Sequence, residues 1–323
     1  MRNLAERRVL ITGAGRGVGR ALAQAFAEHG AEVVVTDVDP QAAAETVTAL
    51  SRAGANCCGY PMDVTDRDSV RDVRQRLHQA RGPIQVLVNN AGVVYGGPLL
   101  DVPWEHHRRT FLVNILGMVA VTYEFLPDLI SAEEAHLVNL ASAAGLVPLP
   151  YATTYASSKS AVVGFSESLA EELRLLGYRH VGVTTVCPSF IQTGLFDGAK
   201  PPRLSGFLTA EDVARLVLSA VLKNRPRVLT PWLVKLVPLG RELLPVSIGR
   251  WLCDTLGVTT SMARWCGHTV PAPTAADGQT VASKPDASAD GSPGTIQWPE
   301  DQATSDAKDE STEDSAEPRK KAA

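Results

Sequence analysis

The sequence predicts an α/β fold in which a doubly wound parallel sheet forms one domain, followed by an apolar C-terminal extension. Three observations predict it. Short β-branched runs alternate with stretches of helical periodicity, and the runs are apolar throughout, as strands buried on both faces are. Glycines close the helical stretches where a left-handed residue ends a helix. Such alternation packs helices on both faces of a parallel sheet.

The elements follow in order. Arg8 to Thr12 (RVLIT) reads as the first strand, stopped by glycines, and Val18 to His29 as an Ala-rich helix ended by Gly30. Glu32 to Asp37 (EVVVTD) is a strand and Gln41 to Ala53 a helix closed by Gly54. Asn56 to Met62 is a strand, Asp66 to Ala80 a helix and Ile84 to Asn89 a strand. Two longer helices are expected between Pro103 and Ile130. Ala135 to Leu140 is a strand, Tyr151 to Leu176 a helix and Val181 to Cys187 a strand. Ala210 to Lys223 is a helix, and Arg227 to Thr230 the last strand. Residues 1–230 thus make the main domain, 231–270 an apolar extension and 271–323 a tail.

The chain has 323 residues and a formal net charge of -4, unevenly spread. Pro271 to Ala323 holds eleven acidic and five basic residues, so the tail carries -6 and leaves the body at +2. The tail is rich in Ala, Ser, Asp, Thr, Pro and Gly, too polar to offset its ordering entropy, and is expected to be disordered. A near-neutral body gives no basic excess for nucleic acid. The five cysteines are odd in number, lack C-x-x-C spacing and have no histidine cluster, so neither a disulfide framework nor a metal site is expected. Cys57-Cys58 reads as a buried strand pair. The polar start, Met1 to Arg8, has no signal-like apolar run, and no stretch is read as reaching the ~18 apolar residues of a membrane span. The expected location is cytoplasmic.

Thr12-Gly13-Ala14-Gly15-Arg16-Gly17-Val18-Gly19 lies between the first strand and the first helix. Glycines let backbone approach a pyrophosphate, and the helix start offers free N–H groups and a positive dipole end. Such a turn can equally serve only strand–helix packing. Asp37, eighteen residues past Gly19 at the end of the second strand, adds weight. A carboxylate there accepts hydrogen bonds from adenosine ribose hydroxyls and repels a 2′-phosphate, which favours NAD over NADP. Arg16 pulls the other way, since a cation in this loop could meet a 2′-phosphate.

Tyr155-Ala-Ser-Ser-Lys159 places a phenol and an ammonium one helical turn apart. Alone, that spacing is also a common solvated helix face. Ser142 lies thirteen residues upstream, just past a strand end, and Asn114 sits further back in Phe-Leu-Val-Asn. Asn89 and the following Asn-Ala-Gly can simply shape a turn, with Asn89 mainly stabilising the sheet. His106 and His107 read as a solvated helix face.

These motifs together resemble the short-chain dehydrogenases/reductases, whose fold is Rossmann-like. They are Thr12-Gly-x-x-x-Gly17-x-Gly19, Asp63-Val64, Asn89-Asn90-Ala91-Gly92, Asn114, Ser142, Tyr155-x-x-x-Lys159 and Cys187-Pro188-Ser189-Phe-Ile191-Gln-Thr193. The resemblance covers Arg8 to about Lys223, and within the family it points to the hydroxysteroid and retinol dehydrogenases. It implies Tyr155 as the proton carrier, Ser142 on the substrate oxygen, Lys159 on the nicotinamide ribose and Asn114 holding a relay water. It implies a cofactor surface of Gly13, Arg16, Gly17, Val18, Gly19, Asp37, Asp63, Val64, Asn90, Ala91, Gly92, Tyr155, Lys159, Pro188, Ile191 and Thr193. Within that surface Asp63 lies by the adenine, Asn90 by the adenosine ribose, and Ile191 and Thr193 by the carboxamide. Lys159 and the oxidised cofactor are expected to lower the phenol pKa from its free value near ~10. Family members assemble as dimers or tetramers through the helices around Asn114 and Tyr155.

The implied reaction moves a hydride between a nicotinamide cofactor and an alcohol or ketone, here an apolar one. A catalytically silent NAD-binding regulator on the same fold is the competing class, and the intact Asn114, Ser142, Tyr155 and Lys159 argue against it. An epimerase or dehydratase is disfavoured by the three residues between Gly13 and Gly17. Substrate identity should depend on Gly194 to Gly206 and on Pro231 to Gly267. The latter mixes Trp232, Trp251, Trp265 and many leucines with Lys235, Arg241, Arg250 and Arg264. It either completes the core and the substrate pocket, or lies peripherally on a membrane with aromatic anchors. Pro238 and Pro245 rule out one long amphipathic helix.

Overall fold

The computed structural model describes residues 3–267 apart from residue 204. Seven parallel strands run in the order β3-β2-β1-β4-β5-β6-β7. They are β1 (Arg8–Thr12), β2 (Glu32–Asp37), β3 (Cys57–Pro61), β4 (Val86–Asn89), β5 (Ala135–Leu140), β6 (Val181–Pro188) and β7 (Arg227–Thr230). The order turns back between β1 and β4, and in such sheets ligands bind at that turning point, off the carboxyl ends of the strands. Nearly every residue of β1, β2, β4 and β5 is buried, because helices cover both faces.

Alternate strand residues feed two cores. Val9, Ile11, Val33, Val35, Val86 and Val88 pack with Leu22 and Phe26 of α1 (Gly17–Glu28), with α2 (Pro40–Arg52) and with α7 (Ala210–Leu222). Leu10, Val34, Leu87 and Leu137 point the other way, onto α3 (Arg67–Ala80), α5 (Met118–Ser131) and α6 (Thr153–Leu175). Asp39 and Asp66 cap α2 and α3, and Thr209 with Asp212 forms a reciprocal box on α7. Asn89 does stabilise the sheet: its amide donates to Thr122 Oγ1 at 2.8 Å and Asn139 Oδ1 at 2.9 Å.

Several sequence expectations change. The two helices expected between Pro103 and Ile130 join end to end: α4 (Trp104–Phe111), a π-helical stretch Leu112–Gly117, then α5. The resulting 28-residue helix is long and apolar enough to cross a membrane by length and composition, which the reading of separate helices missed. Its inner side, including Val113, Met118, Val121, Phe125 and Leu129, is buried, as in a core helix. Helix α6 starts at Thr153, not Tyr151, because Tyr151 has φ 63° and cannot be helical. Cys57 and Cys58 lie in β3 as free, half-buried thiols, since that edge strand is covered less than its neighbours. The extension forms a 3₁₀ turn (Trp232–Leu236), α8 (Val237–Leu243) and α9 (Val246–Leu256). Pro238 and Pro245 start these helices rather than interrupt one. The tail assigned to 271–323 lies outside the described residues.

Candidate functional site

The turn between β1 and α1 is shaped to exclude side chains. Gly13 and Gly17 have φ values of 62° and 50°. A Cβ on Gly19 would stand 2.1 Å from the Gly13 carbonyl oxygen, and one on Gly15 2.8 Å from Asp37 Oδ2. Arg16 is the N-cap of α1 without any side-chain cap bond, so the first amides of α1 keep no partner from that side chain. This cradle fits a pyrophosphate.

The acid at the end of β2 is fixed by backbone. Asp37 Oδ2 accepts from Gly15 N at 2.9 Å, and Oδ1 from Asp39 N at 3.0 Å. Both oxygens keep further lone pairs for ribose hydroxyls. Arg16 reaches across to pair with Asp39, a partner the sequence reading did not foresee. Asp63 and Val64 follow β3; the Asp63 carboxylate accepts from Thr65 N and Oγ1, both at 2.8 Å, and so shapes its own turn.

The segment after β4 is tied to the turn after β1. Thr12 Oγ1 accepts from Asn90 N and Ala91 N, each at 3.0 Å. The Asn90 amide donates to Thr12 O at 2.9 Å and Gly13 O at 3.0 Å. Thr12, read as the strand end and the first residue of the glycine motif, also holds this junction. Gly92 must stay small, because a Cβ would come within 3.3 Å of Asn114 Oδ1 and 3.5 Å of Lys159 Nζ. Thr193 meets the phosphate turn from the far side, 3.4 Å from a Cβ on Gly17. Ile191 is buried and bridges to Leu208, and Pro188 ends β6.

The four expected catalytic residues converge. Asn114 lies in the π-helical stretch, buried; its Oδ1 accepts from Val93 N at 2.8 Å and its amide donates to Val93 O and Ser158 Oγ at 3.0 Å. The side chain is therefore committed to holding the loop after β4 against α6. Ser142 caps a short turn after β5 and accepts from Ala144 N at 3.1 Å. Tyr155 and Lys159 share one face of α6, with Lys159 Nζ 5.7 Å from the phenol ring centre. Lys159 donates to Leu140 O at 2.8 Å.

Burial dominates the electrostatics of this pair. Burial pushes the Tyr155 phenol up to about 12, although a hydrogen bond with Ser142 draws it down. Burial also drives Lys159 down to about 8. In the protein by itself burial is the largest influence on both groups, raising the phenol and lowering the ammonium.

Ser142, Tyr155, Lys159, Pro188, Ile191 and Phe196, with Val18 and Gly92, line a cleft of about 80 Å³. The apolar cluster beside it was not individually foreseen. Phe196 meets Tyr155 edge-on with ring centres 6.0 Å apart and Phe190 at 5.2 Å. Met262, only 1% exposed, joins this cluster from the extension, and Trp265 packs against it. Trp265 Nε1 donates to Leu195 O at 3.2 Å. Phe196, Met262 and Trp265 fall inside the 194–206 and 231–267 stretches and Phe190 just before them, but nothing in local spacing singles them out. A larger hollow of about 350 Å³, lined by Ala170, Val183, Pro226 and neighbours, holds none of the reactive groups. His106 and His107 are half-exposed on the helix face, and each has a neighbour: His107 contacts Thr154 Oγ1 at 2.6 Å and Leu99 O at 3.1 Å, while His106 stacks on Tyr95.

Comparison with known proteins agrees with this geometry. Residues 7–203 match the family described as short chain dehydrogenase. Short-chain dehydrogenase/reductase family 16C member 6 of Bos taurus is 35% identical over 79% of this chain and 82% of its own length. Epidermal retinol dehydrogenase 2 of Mus musculus is 35% identical over 80% and 84%, and estradiol 17-beta-dehydrogenase 11 of Rattus norvegicus 33% over 73% and 79%. A solved short chain dehydrogenase/reductase from Burkholderia phymatum, in complex with NAD, superposes with TM-score 0.69 at 35% identity, covering 75% of this chain and 96% of that one. The turn, the convergent quartet and these matches make the chain a member of the short-chain dehydrogenase/reductase family, in its hydroxysteroid and retinol dehydrogenase branch.

Proposed function

We propose that the protein is an NAD-linked oxidoreductase that interconverts a secondary alcohol and its ketone, or a similar lipid-like alcohol such as a steroid or retinoid. The observation that carries this is the pairing of Ser142 and Tyr155 in an apolar cleft, with Lys159 one turn behind and the glycine cradle alongside. Gly13, Gly17, Val18 and Gly19 would take the pyrophosphate, Asp37 the adenosine ribose and Lys159 the nicotinamide ribose. Asp63, Val64, Asn90, Ala91, Gly92, Pro188, Ile191 and Thr193 would complete that surface.

Bound there, the nicotinamide ring supplies the hydride acceptor for oxidation or the donor for reduction. The chain's own groups manage the proton. Ser142 Oγ donates to the substrate oxygen and stabilises charge that develops on it. Tyr155 takes the hydroxyl proton at Oη in the oxidative direction and returns it in the reductive one. Lys159 stands close enough to favour the phenolate when its ammonium is charged. Asn114 holds the loop after β4 and α6 in register.

The apolar lining of Ile191, Leu195 and Phe196, backed by the cluster of Phe190, Met262 and Trp265, favours an apolar substrate, and the names of the relatives point the same way. The test is NADH appearance at 340 nm with a panel of secondary alcohols, steroids and retinol. Turnover of at least one, dependent on the cofactor, is expected. Stoichiometric NAD binding with no turnover across the panel would favour the silent regulator instead.

A second reading concerns the extension. Helix α9 has no buried residue, and Trp232, Leu236, Leu243, Val246 and Trp251 are all exposed beside Lys235 and Arg250. Apolar anchors with flanking cations suit the surface of an anionic bilayer, next to the wall of the cleft. The protein would then be cytoplasmic and peripheral at a membrane. Co-sedimentation with phosphatidylserine vesicles, lost in Trp232→Glu/Trp251→Glu, is the expected result. The exposed Phe111, Leu116 and Tyr123 on the long helix fit a homodimer or homotetramer interface, which sedimentation velocity measures.

A further inference from the structure

Arg16 is the single cation in residues 13–19, and its guanidinium is already taken by Asp39. The Asp39 carboxylate does two things at once. Oδ1 accepts from Gln41 N at 3.0 Å and Ala42 N at 3.2 Å and so caps α2, while Oδ2 binds Arg16. Its backbone N–H donates to Asp37 Oδ1. Asp37, Asp39 and Arg16 thus form one connected cluster with two negative charges against one positive, where Asp37 stands over Gly15.

We infer that Asp39 is a cofactor-specificity residue, because it withholds Arg16 from a 2′-phosphate. The inference rests on the cofactor site proposed above and deepens it. A cation in this position stabilises a 2′-phosphate, whose charge is about -1.5 to -2 at neutral pH. Paired with Asp39, Arg16 offers that group little net attraction, and both carboxylates repel it. Discrimination against NADP is therefore shared between the acid at the end of β2 and the acid two residues later. Arg16 is a masked phosphate site that a change at Asp39 would open.

Asp39→Asn keeps an N-capping oxygen for α2, so the helix start is preserved. Asp39→Ser is a second variant with the same property. The experiment titrates adenosine 2′,5′-bisphosphate and 5′-AMP calorimetrically into the full chain. These fragments lack the nicotinamide, so the readout does not depend on turnover; an absent enzymatic activity would remove the proposed reaction and leave this result standing. Wild type is expected to prefer 5′-AMP. Asp39→Asn should shift the preference toward the bisphosphate by about tenfold, and Asp37→Ser/Asp39→Asn further. The shift should vanish when Arg16→Ala is added, and shrink as salt rises. An unchanged preference in both Asp39 variants, a shift that survives Arg16→Ala, or a wild type that does not prefer 5′-AMP would overturn the inference.

Discussion

The cofactor turn and the C-terminal extension are built in opposite ways. Between β1 and α1 the backbone itself makes the site, and Gly13, Gly15 and Gly19 are crowded: a Cβ at Gly19 meets a carbonyl at 2.1 Å. In α9, Gly249 has nothing within 4 Å of an added Cβ, and no residue of the helix is buried. A site for an invariant ligand part, such as a pyrophosphate, can be made of backbone and tolerates no side chain. A surface that selects the apolar part of a substrate is made of side chains on loosely packed segments.

Four substitutions can break or sharpen this contrast. Tyr155→Phe, where the two regions meet, should cost about two to four orders of magnitude in turnover. Affinity for NAD should stay within about threefold, since the phenol's main duty is proton transfer; a matching loss of affinity would mean it mainly builds the site.

Lys159→Met removes a buried charge from the rigid half. Wild type carries the full cost of that charge below about pH 8, where the ammonium is charged in both folded and unfolded chains. The cost fades as pH rises from the lowered folded value toward the ordinary one. The variant should therefore be more stable than wild type at pH 7, by up to about 3 kcal/mol, and the gap should close toward pH 10. The unpaired Leu140 carbonyl trims the gain. Denaturant midpoints at the two pH values measure it.

Gly19→Ala should destabilise the protein by about 2 kcal/mol and weaken NAD binding at least tenfold, because the carbonyl it strikes cannot yield cheaply. Its counterpart, Gly249→Ala, should raise stability by about 0.5–1 kcal/mol through lower unfolded-chain entropy and better helix propensity. Equal effects at the two glycines would erase the distinction between the regions.

What was legible in the sequence follows the same division. The glycine spacing, Asp37 and Tyr155-x-x-x-Lys159 lie within single strand–turn or helix segments, so local periodicity exposes them. The roles of Thr12, Asp39, Met262 and Trp265 were not legible because they come from contacts between separate segments. Trp265, for example, hydrogen-bonds to Leu195, 70 residues earlier. The burial that raises the phenol in the protein by itself cannot be read from spacing. Arg16 looked like a free cation for the same reason: its partner lies on the far side of β2.

A π turn is an α-helix carrying one residue too many. Leu112–Gly117 holds such a surplus in the middle of a helix that otherwise runs without interruption from Trp104 to Ser131. A helix advances about 100° per residue, so the surplus sets the rotational phase of everything before it relative to α5. Deleting one residue from that stretch would let the ladder relax to a uniform pitch and turn α4 by roughly that angle. His107 would leave Thr154, and Asn114 would lose Val93 and Ser158. The helix is in effect a two-part key whose teeth align only because the shaft is cut slightly long.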